Sequence, residues 1–199
     1  MRRSQNMIGK EATMDKQDSC GGVLFYMENE RTVSQNLQQM KNDICMEFDA
    51  VSENEGLARV VIAAFLTRVD PTVDEIEDVK TAVSEAVTNA IIHGYGEKGG
   101  RVVMRAGLSE EKELSVEIAD RGVGIPDVAQ AMQPLFTTGA PSERTGMGFS
   151  FMEAFMDRLE VVSRVGEGTC VHMWKRFGAR QEELVPILQA AVWNGSGRE

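Results

Sequence analysis

Two eight-residue segments, RVVMRAGL at 101–108 and ELSVEIAD at 113–120, face each other across the four-residue turn SEEK. Strands joined by so short a link pair antiparallel, because a parallel crossover needs a dozen or more residues. A second hairpin reads in LEVVSRVGEGTCVHMW, turning about Gly166-Glu167-Gly168. Upstream, DICMEFDA alternates with Ile44, Met46 and Phe48 on one face, the pattern of a half-buried strand. Any fold of this chain is therefore built around a mostly antiparallel sheet.

Helical spacing fills the gaps between these strands. Asn54 is the expected cap of a helix running to about residue 69 and stopped by Asp70-Pro71. That helix is apolar over most of its circumference, so it is either deeply buried or shared with a partner. Thr72 is the expected cap of a second helix, with Val73, Ile76, Val79, Val83, Val87 and Ala90 on an inward stripe and Gly94 closing its end. Asp74, Glu75 and Glu77 favour the N-terminal end of that helix electrostatically. Residues 121–147 hold four glycines and three prolines, which predicts a long mobile loop, and a third helix is expected over 148–159. The order β-α-α-ββ-loop-α-ββ predicts one α/β domain: a two-layer sandwich, mostly antiparallel sheet with helices on one face. It spans residues 40–177. Residues 1–39 are expected to be an extension with little fixed structure, or Met40 the true initiator, and 178–199 a tail with one short helix.

Charge narrows the partners. The 199 residues carry a formal net charge of −10, distributed as 0 over residues 1–39, −7 over 40–96 and −3 over 97–199. Phosphate backbones are held by clustered Lys and Arg, which this chain lacks, so direct nucleic-acid binding is excluded from the expectation. The polar start has no apolar core of a secretory signal, and no apolar run approaches the ~20 residues of a membrane span. Cys20, Cys45 and Cys170 lie far apart with no CxxC pair, which argues for a reducing cytoplasm and against a zinc site.

Three segments carry candidate chemistry. In SEAVTNAIIHG, Glu85, Asn89 and His93 fall at i, i+4 and i+8 on one helix face, pairing a proton acceptor with a carboxamide that can ligate a metal. In ADRGVGI, Asp120 ends a strand beside Gly122 and Gly124, where it can accept from an exocyclic amine while glycine lets the backbone approach a ligand. In ERTGMGFS, Gly146 and Gly148 open a helix whose N–H groups form a ready anion site. Arg144 is the one cation in that glycine-rich stretch and a candidate contact for an anion held there, a γ-phosphate if the ligand is a nucleoside triphosphate, with Arg121 a less direct one. No Walker A, HRD or DFG sequence is present, which excludes P-loop and eukaryotic-kinase chemistry.

ExxxN on a helix, DxGxG after a strand and GxG leading a helix, in this order, resemble the GHKL (Bergerat) ATPase and kinase superfamily. The resemblance narrows to its sporulation anti-sigma factors and protein serine kinases at NEGLARVVIAAFLTRVDPTVDEI, SEAVTNAIIHGY and PLFTTGAPSERTGMGFSFMEAFMD. It implies the Bergerat ATP-binding fold, with ATP and Mg²⁺ as cofactors. Residue by residue, it implies Glu85 as general base, Asn89 as the Mg²⁺ ligand, Asp120 as reader of the adenine amine, and Gly122 and Gly124 beside the nucleotide. It further implies Thr145, Gly146, Met147 and Gly148 at a flexible lid end over the phosphates, Thr169 supporting the adenine contact, and His93 near the phosphates. The partners it implies are a sigma factor and an anti-anti-sigma protein phosphorylated on serine. A binding module without transfer is the alternative. A histidine-kinase catalytic domain is disfavoured because no phosphoacceptor hairpin precedes residue 40, and topoisomerase-type ATPases need a transducer domain. The apolar helix at 55–69 is the expected homodimer or partner surface, with Glu55 and Arg59 as candidate contacts or a plain intrahelical ion pair.

Overall fold

The computed structural model describes residues 42–133 and 147–178. The chain runs β1 (Asn42–Asp49), α1 (Glu53–Leu66), α2 (Val73–Asn89), β2 (Arg101–Leu108), β3 (Glu113–Asp120), α3 (Val128–Ala131), α4 (Gly148–Phe155), β4 (Arg158–Arg164) and β5 (Gly168–Arg176). All pairings are antiparallel, in the order β1-β2-β3-β5-β4. The two hairpins lie where the sequence puts them, with Lys112 at φ 58° closing the first and Gly166 and Gly168 at φ 80° and 115° the second.

Alternation decides which face is covered. Val102, Met104, Ala106 and Leu108 of β2, Leu114, Val116 and Ile118 of β3, and Val171 and Met173 of β5 join one core. The same core takes in Ala58, Ile62, Phe65 and Leu66 of α1, Val79, Val83 and Val87 of α2, and Met152 of α4. The helices α1, α2 and α4 thus share one sheet face, and each fully buried Ile, Leu or Val contributes about 1.5–3 kcal/mol. On the opposite face Arg105 meets Glu117 at 3.2 Å, and Ser115 bonds the His172 ring at 2.7 Å.

Four local expectations are corrected. Asn54 does not cap α1; it sits inside the first turn and donates its amide to the Asp49 carbonyl at 2.8 Å. Thr72 does cap α2, in a reciprocal capping box with Glu75, but Val73 at the first position is 75% exposed because the stripe meets the sheet only further along. Gly94 does not end the helix. The backbone widens into a π turn over Ala90–Tyr95, and Gly96 at φ 56° ends it. The third helix stops at Phe155, since Arg158 and Leu159 pair with Trp174 and Met173 of β5. The stop at Asp70-Pro71 stands: α1 runs on through a tight turn at Thr67–Val69, and Asp70 turns left-handed at φ 53°. The expectations for 1–39, for the helix in the tail, and for Arg144, Thr145 and Gly146 lie outside the described residues. Among the described residues no helix is long and apolar enough to cross a membrane.

Candidate active site

Beside the C-terminal half of α2 lies a cavity of about 820 Å³, bounded also by the loop after β3, the start of α4 and the β4–β5 turn. Glu85, Asn89, His93, Asp120, Gly124, Met147, Gly148 and Thr169 all line it. Segments separated by up to 84 positions in sequence therefore meet in one space. Gly122 does not line it. Its N–H donates to Asp120 Oδ1 at 2.7 Å, and a Cβ there would fall 2.1 Å from the Gly94 carbonyl oxygen. Its place is thus backbone packing behind the aspartate.

At one end, α2 and α4 converge. A Cβ on Gly148 would lie 2.9 Å from Glu85 Oε2 and 3.4 Å from Asn89 Nδ2, so the absent side chain is what lets α4 start against this pair. Among the described residues no side chain caps α4, and its N-terminal dipole favours the Glu85 carboxylate and any anion beside it. The Asn89 carboxamide oxygen is a hard donor next to Glu85. Magnesium carried in on phosphates keeps several waters and needs only one or two protein oxygens, and this donor set fits that demand. Among the described residues no cluster of three His, Cys, Asp or Glu is placed to hold a metal unaided.

At the other end sits Asp120, buried and opposite Thr169 in the β3–β5 register. Burial pushes its pKa from 3.8 up to about 6, opposed by backbone N–H groups of Gly122 and Thr169. At neutral pH it is chiefly a carboxylate, an acceptor held ready for a donor. Sequence reasoning missed three contributors here. A Cβ on Gly94 would lie 2.9 Å from Asp120 Oδ1, so this glycine makes room for the carboxylate. Tyr95 accepts the Arg121 N–H at 2.7 Å and donates to the Arg101 carbonyl at 2.5 Å, pinning the residue after Asp120. Ser163 contacts Thr169 Oγ1 at 2.9 Å. Only Ser163 had a usable signal, since a hairpin centred on Gly166 brings positions 163 and 169 face to face.

The expected partner residues sit apart from the cavity. Glu55 and Arg59 on α1 form an ion pair at 3.7 Å, and Glu55 also accepts the Ser84 hydroxyl one residue before Glu85. Leu57 and Val60 on the same helix are 45% and 66% exposed.

The chain matches a known class. The family model described as Histidine kinase-like ATPase domain matches residues 48–175. An anti-sigma F factor of Pasteuria penetrans is 49% identical over 146 residues, covering 73% of this chain and 97% of that protein. Another from Clostridium acetobutylicum is 51% identical over 138 residues, covering 69% of this chain and 96% of its own length. The chain belongs to the anti-sigma F factor family, within the histidine kinase-like ATPase class. A solved structure of the RsbU and RsbW domains of a Mycobacterium tuberculosis protein shares the fold, at TM-score 0.51 and 21% identity over 69% of this chain and 33% of that one.

Proposed function

We propose that this protein binds Mg-ATP in the cavity beside α2, binds a sigma factor, and transfers the γ-phosphoryl group to a serine of an anti-anti-sigma partner, in the cytoplasm. The observation that carries the reading is the division of one cavity into an Asp120–Thr169 end and a Glu85–Asn89 end. The first suits a purine amine, the second a reacting phosphate. Glu85 accepts the proton of the serine hydroxyl as its oxygen bonds to the γ-phosphorus and the bond to the β-phosphate oxygen breaks. Asn89 would offer its oxygen to the magnesium, His93, Met147 and Gly148 stand near the phosphates, and Gly124 belongs to the loop beside the nucleotide. Arg144, Thr145 and Gly146 belong to the same proposal by position in sequence. When bound, the ion offsets like charges that cost on the order of 4 kcal/mol per pair at an effective dielectric of 20.

The exposed Leu57 and Val60 support α1 as the sigma-factor or homodimer surface, with Arg59 as its charged contact. The Glu55–Arg59 pair contributes only a few tenths of a kcal/mol internally, so little is lost when Arg59 turns to a partner. Incubation with γ-labelled Mg-ATP and an anti-anti-sigma protein should place label on serine, and Glu85→Gln should bind ATP yet transfer none. Equal labelling by that variant would sink the base assignment. ATP-dependent sigma binding without any label would reduce the protein to a binding module. A mass near one chain at all concentrations on a sizing column would rule out the homodimer.

A further inference from the structure

The Asp120 end of the cavity contains a hydroxyl relay whose polarity can be worked out from its neighbours. Ser163 stands on β4 opposite Thr169. Its Oγ has three partners: the Ile125 N–H at 2.7 Å, the Gly168 carbonyl oxygen at 2.8 Å, and Thr169 Oγ1 at 2.9 Å. A serine hydroxyl offers one proton and two lone pairs. The carbonyl can only accept, so the Ser163 proton goes to Gly168. Spent on Thr169 instead, it would leave the Ser163 and Gly168 oxygens in contact with no hydrogen between them. The lone pairs of Ser163 then take the Ile125 N–H and the Thr169 O–H, which satisfies every contact.

The consequence falls on Thr169. Having given its only proton to Ser163, it meets the cavity with lone pairs alone. Asp120, which also lines the cavity, is an acceptor as well. We propose that Ser163 is a positioning residue that fixes Thr169 as an acceptor, so that this end of the cavity selects a purine carrying an amine at the six position over one carrying an oxygen there. The six-amine offers two N–H donors to an acceptor-only wall, whereas a six-oxo purine sets lone pairs against lone pairs at that position and keeps a single neighbouring donor, the N1–H. The inference deepens the proposed function and rests on the reading that the cavity holds a purine nucleoside triphosphate.

Titration calorimetry of the full chain with Mg-ATP and Mg-ITP, which carry an amine and an oxo group at that position and differ also in the N1 hydrogen that accompanies the oxo form, tests it. Wild type should favour ATP. Ser163→Val, which removes the hydroxyl and fills its place with methyl groups, frees the Thr169 proton to point into the cavity, and the ATP-to-ITP preference should fall about tenfold. Ser163→Thr keeps the hydroxyl and should keep the preference. Ser163→Ala carries the same test where valine does not fold. A preference unchanged in the valine or alanine variant, or affinities for both nucleotides lowered in equal proportion, overturns the assignment, because a merely structural serine predicts that pattern. Wild type that binds neither nucleotide overturns the proposed function and this inference together, whereas wild type that binds ATP with an unchanged variant ratio overturns this inference alone.

Discussion

Replacing Asp120 by asparagine separates what the site costs from what it does. The carboxyl is buried, with a pKa raised from 3.8 to about 6. A carboxyl whose pKa rises on folding destabilises the folded state once it ionises. The penalty is absent below the unfolded pKa, grows as pH climbs between the two values, and is constant above the folded one. At 1.36 kcal/mol per pH unit the full penalty is about 3 kcal/mol. Near pH 5 roughly half of it is in force, and by pH 7.5 nearly all. Asparagine never ionises, so the stability of Asp120→Asn relative to wild type should rise by about 1.4 kcal/mol between pH 5 and pH 7.5. The absolute gain is smaller than the full penalty, because one amide oxygen must serve both the Gly122 and Thr169 N–H groups and a lost bond costs about 1 kcal/mol.

Urea unfolding of the two ligand-free proteins, followed by circular dichroism at pH 5.0, 6.0 and 7.5, measures the gap directly. Taking the difference at each pH cancels every other titration, including that of His172, whose pKa burial pulls down to about 4 and whose contribution runs the opposite way. Calorimetry on the same samples should show ATP binding lost in the variant, and wild-type affinity falling as pH drops through about 6. A gap that stays flat, or narrows as pH rises, would refute the claim that Asp120 is held ionised at a cost.

Gly94→Ala forces a methyl to within 2.9 Å of Asp120 Oδ1, and overpacking of this kind costs about 1–3 kcal/mol. Its urea midpoint should fall and its ATP affinity weaken, both read on one preparation. Tyr95→Phe keeps the ring beside Gly100 but removes the hydroxyl between the Arg121 N–H and the Arg101 carbonyl, so a loss of about 1 kcal/mol is expected in chemical denaturation. Lys175→Met retains the buried stem while deleting the bonds to Asp78 at 3.2 Å and the Phe155 carbonyl at 2.6 Å. Because these tie β5 to α2 and to the end of α4, the unfolding free energy should drop by about 1–3 kcal/mol, and a variant as stable as wild type would show the ties to be idle.

Strands proved more legible than helix ends. The spans 101–108 and 113–120 are observed unchanged, because period-two alternation and turn residues are both local. Asn54 misled because Asn at a helix start can cap either the helix or a neighbouring carbonyl, and here the carbonyl of Asp49 wins. Arg158 and Leu159 continue the apolar spacing of α4, yet their pairing with Trp174 and Met173 is non-local and decides their state. The same divide runs through the site. Glu85, Asn89 and Asp120 stand out because their spacing or strand-end position is written in one segment. Gly94 meets Asp120 and Tyr95 meets Arg121, each 26 positions further on, so nothing in SEAVTNAIIHGY by itself reveals them.

That last pair shows how one helix serves both ends of the cavity. Through Asn89, α2 keeps a regular period, which sets Glu85 and Asn89 one turn apart against Gly148. A helix continuing regularly would aim each carbonyl at the amide four residues on. Over Ala90–Tyr95 the turn widens instead, the Gly96 N–H reaches back to the Ile91 carbonyl, and the Gly94 carbonyl turns to accept the Val123 N–H at 2.9 Å. That bond brings the loop after β3 onto the helix end, where only a glycine at 94 leaves room for the Asp120 carboxylate and only a glycine at 122 tolerates the Gly94 carbonyl. Wide π turns are often found at functional sites because they release backbone groups from the helix. Here the released group fastens the Asp120 end of the cavity to the same helix that carries Glu85, so the distance between the two ends is set by one rigid element rather than by a loop.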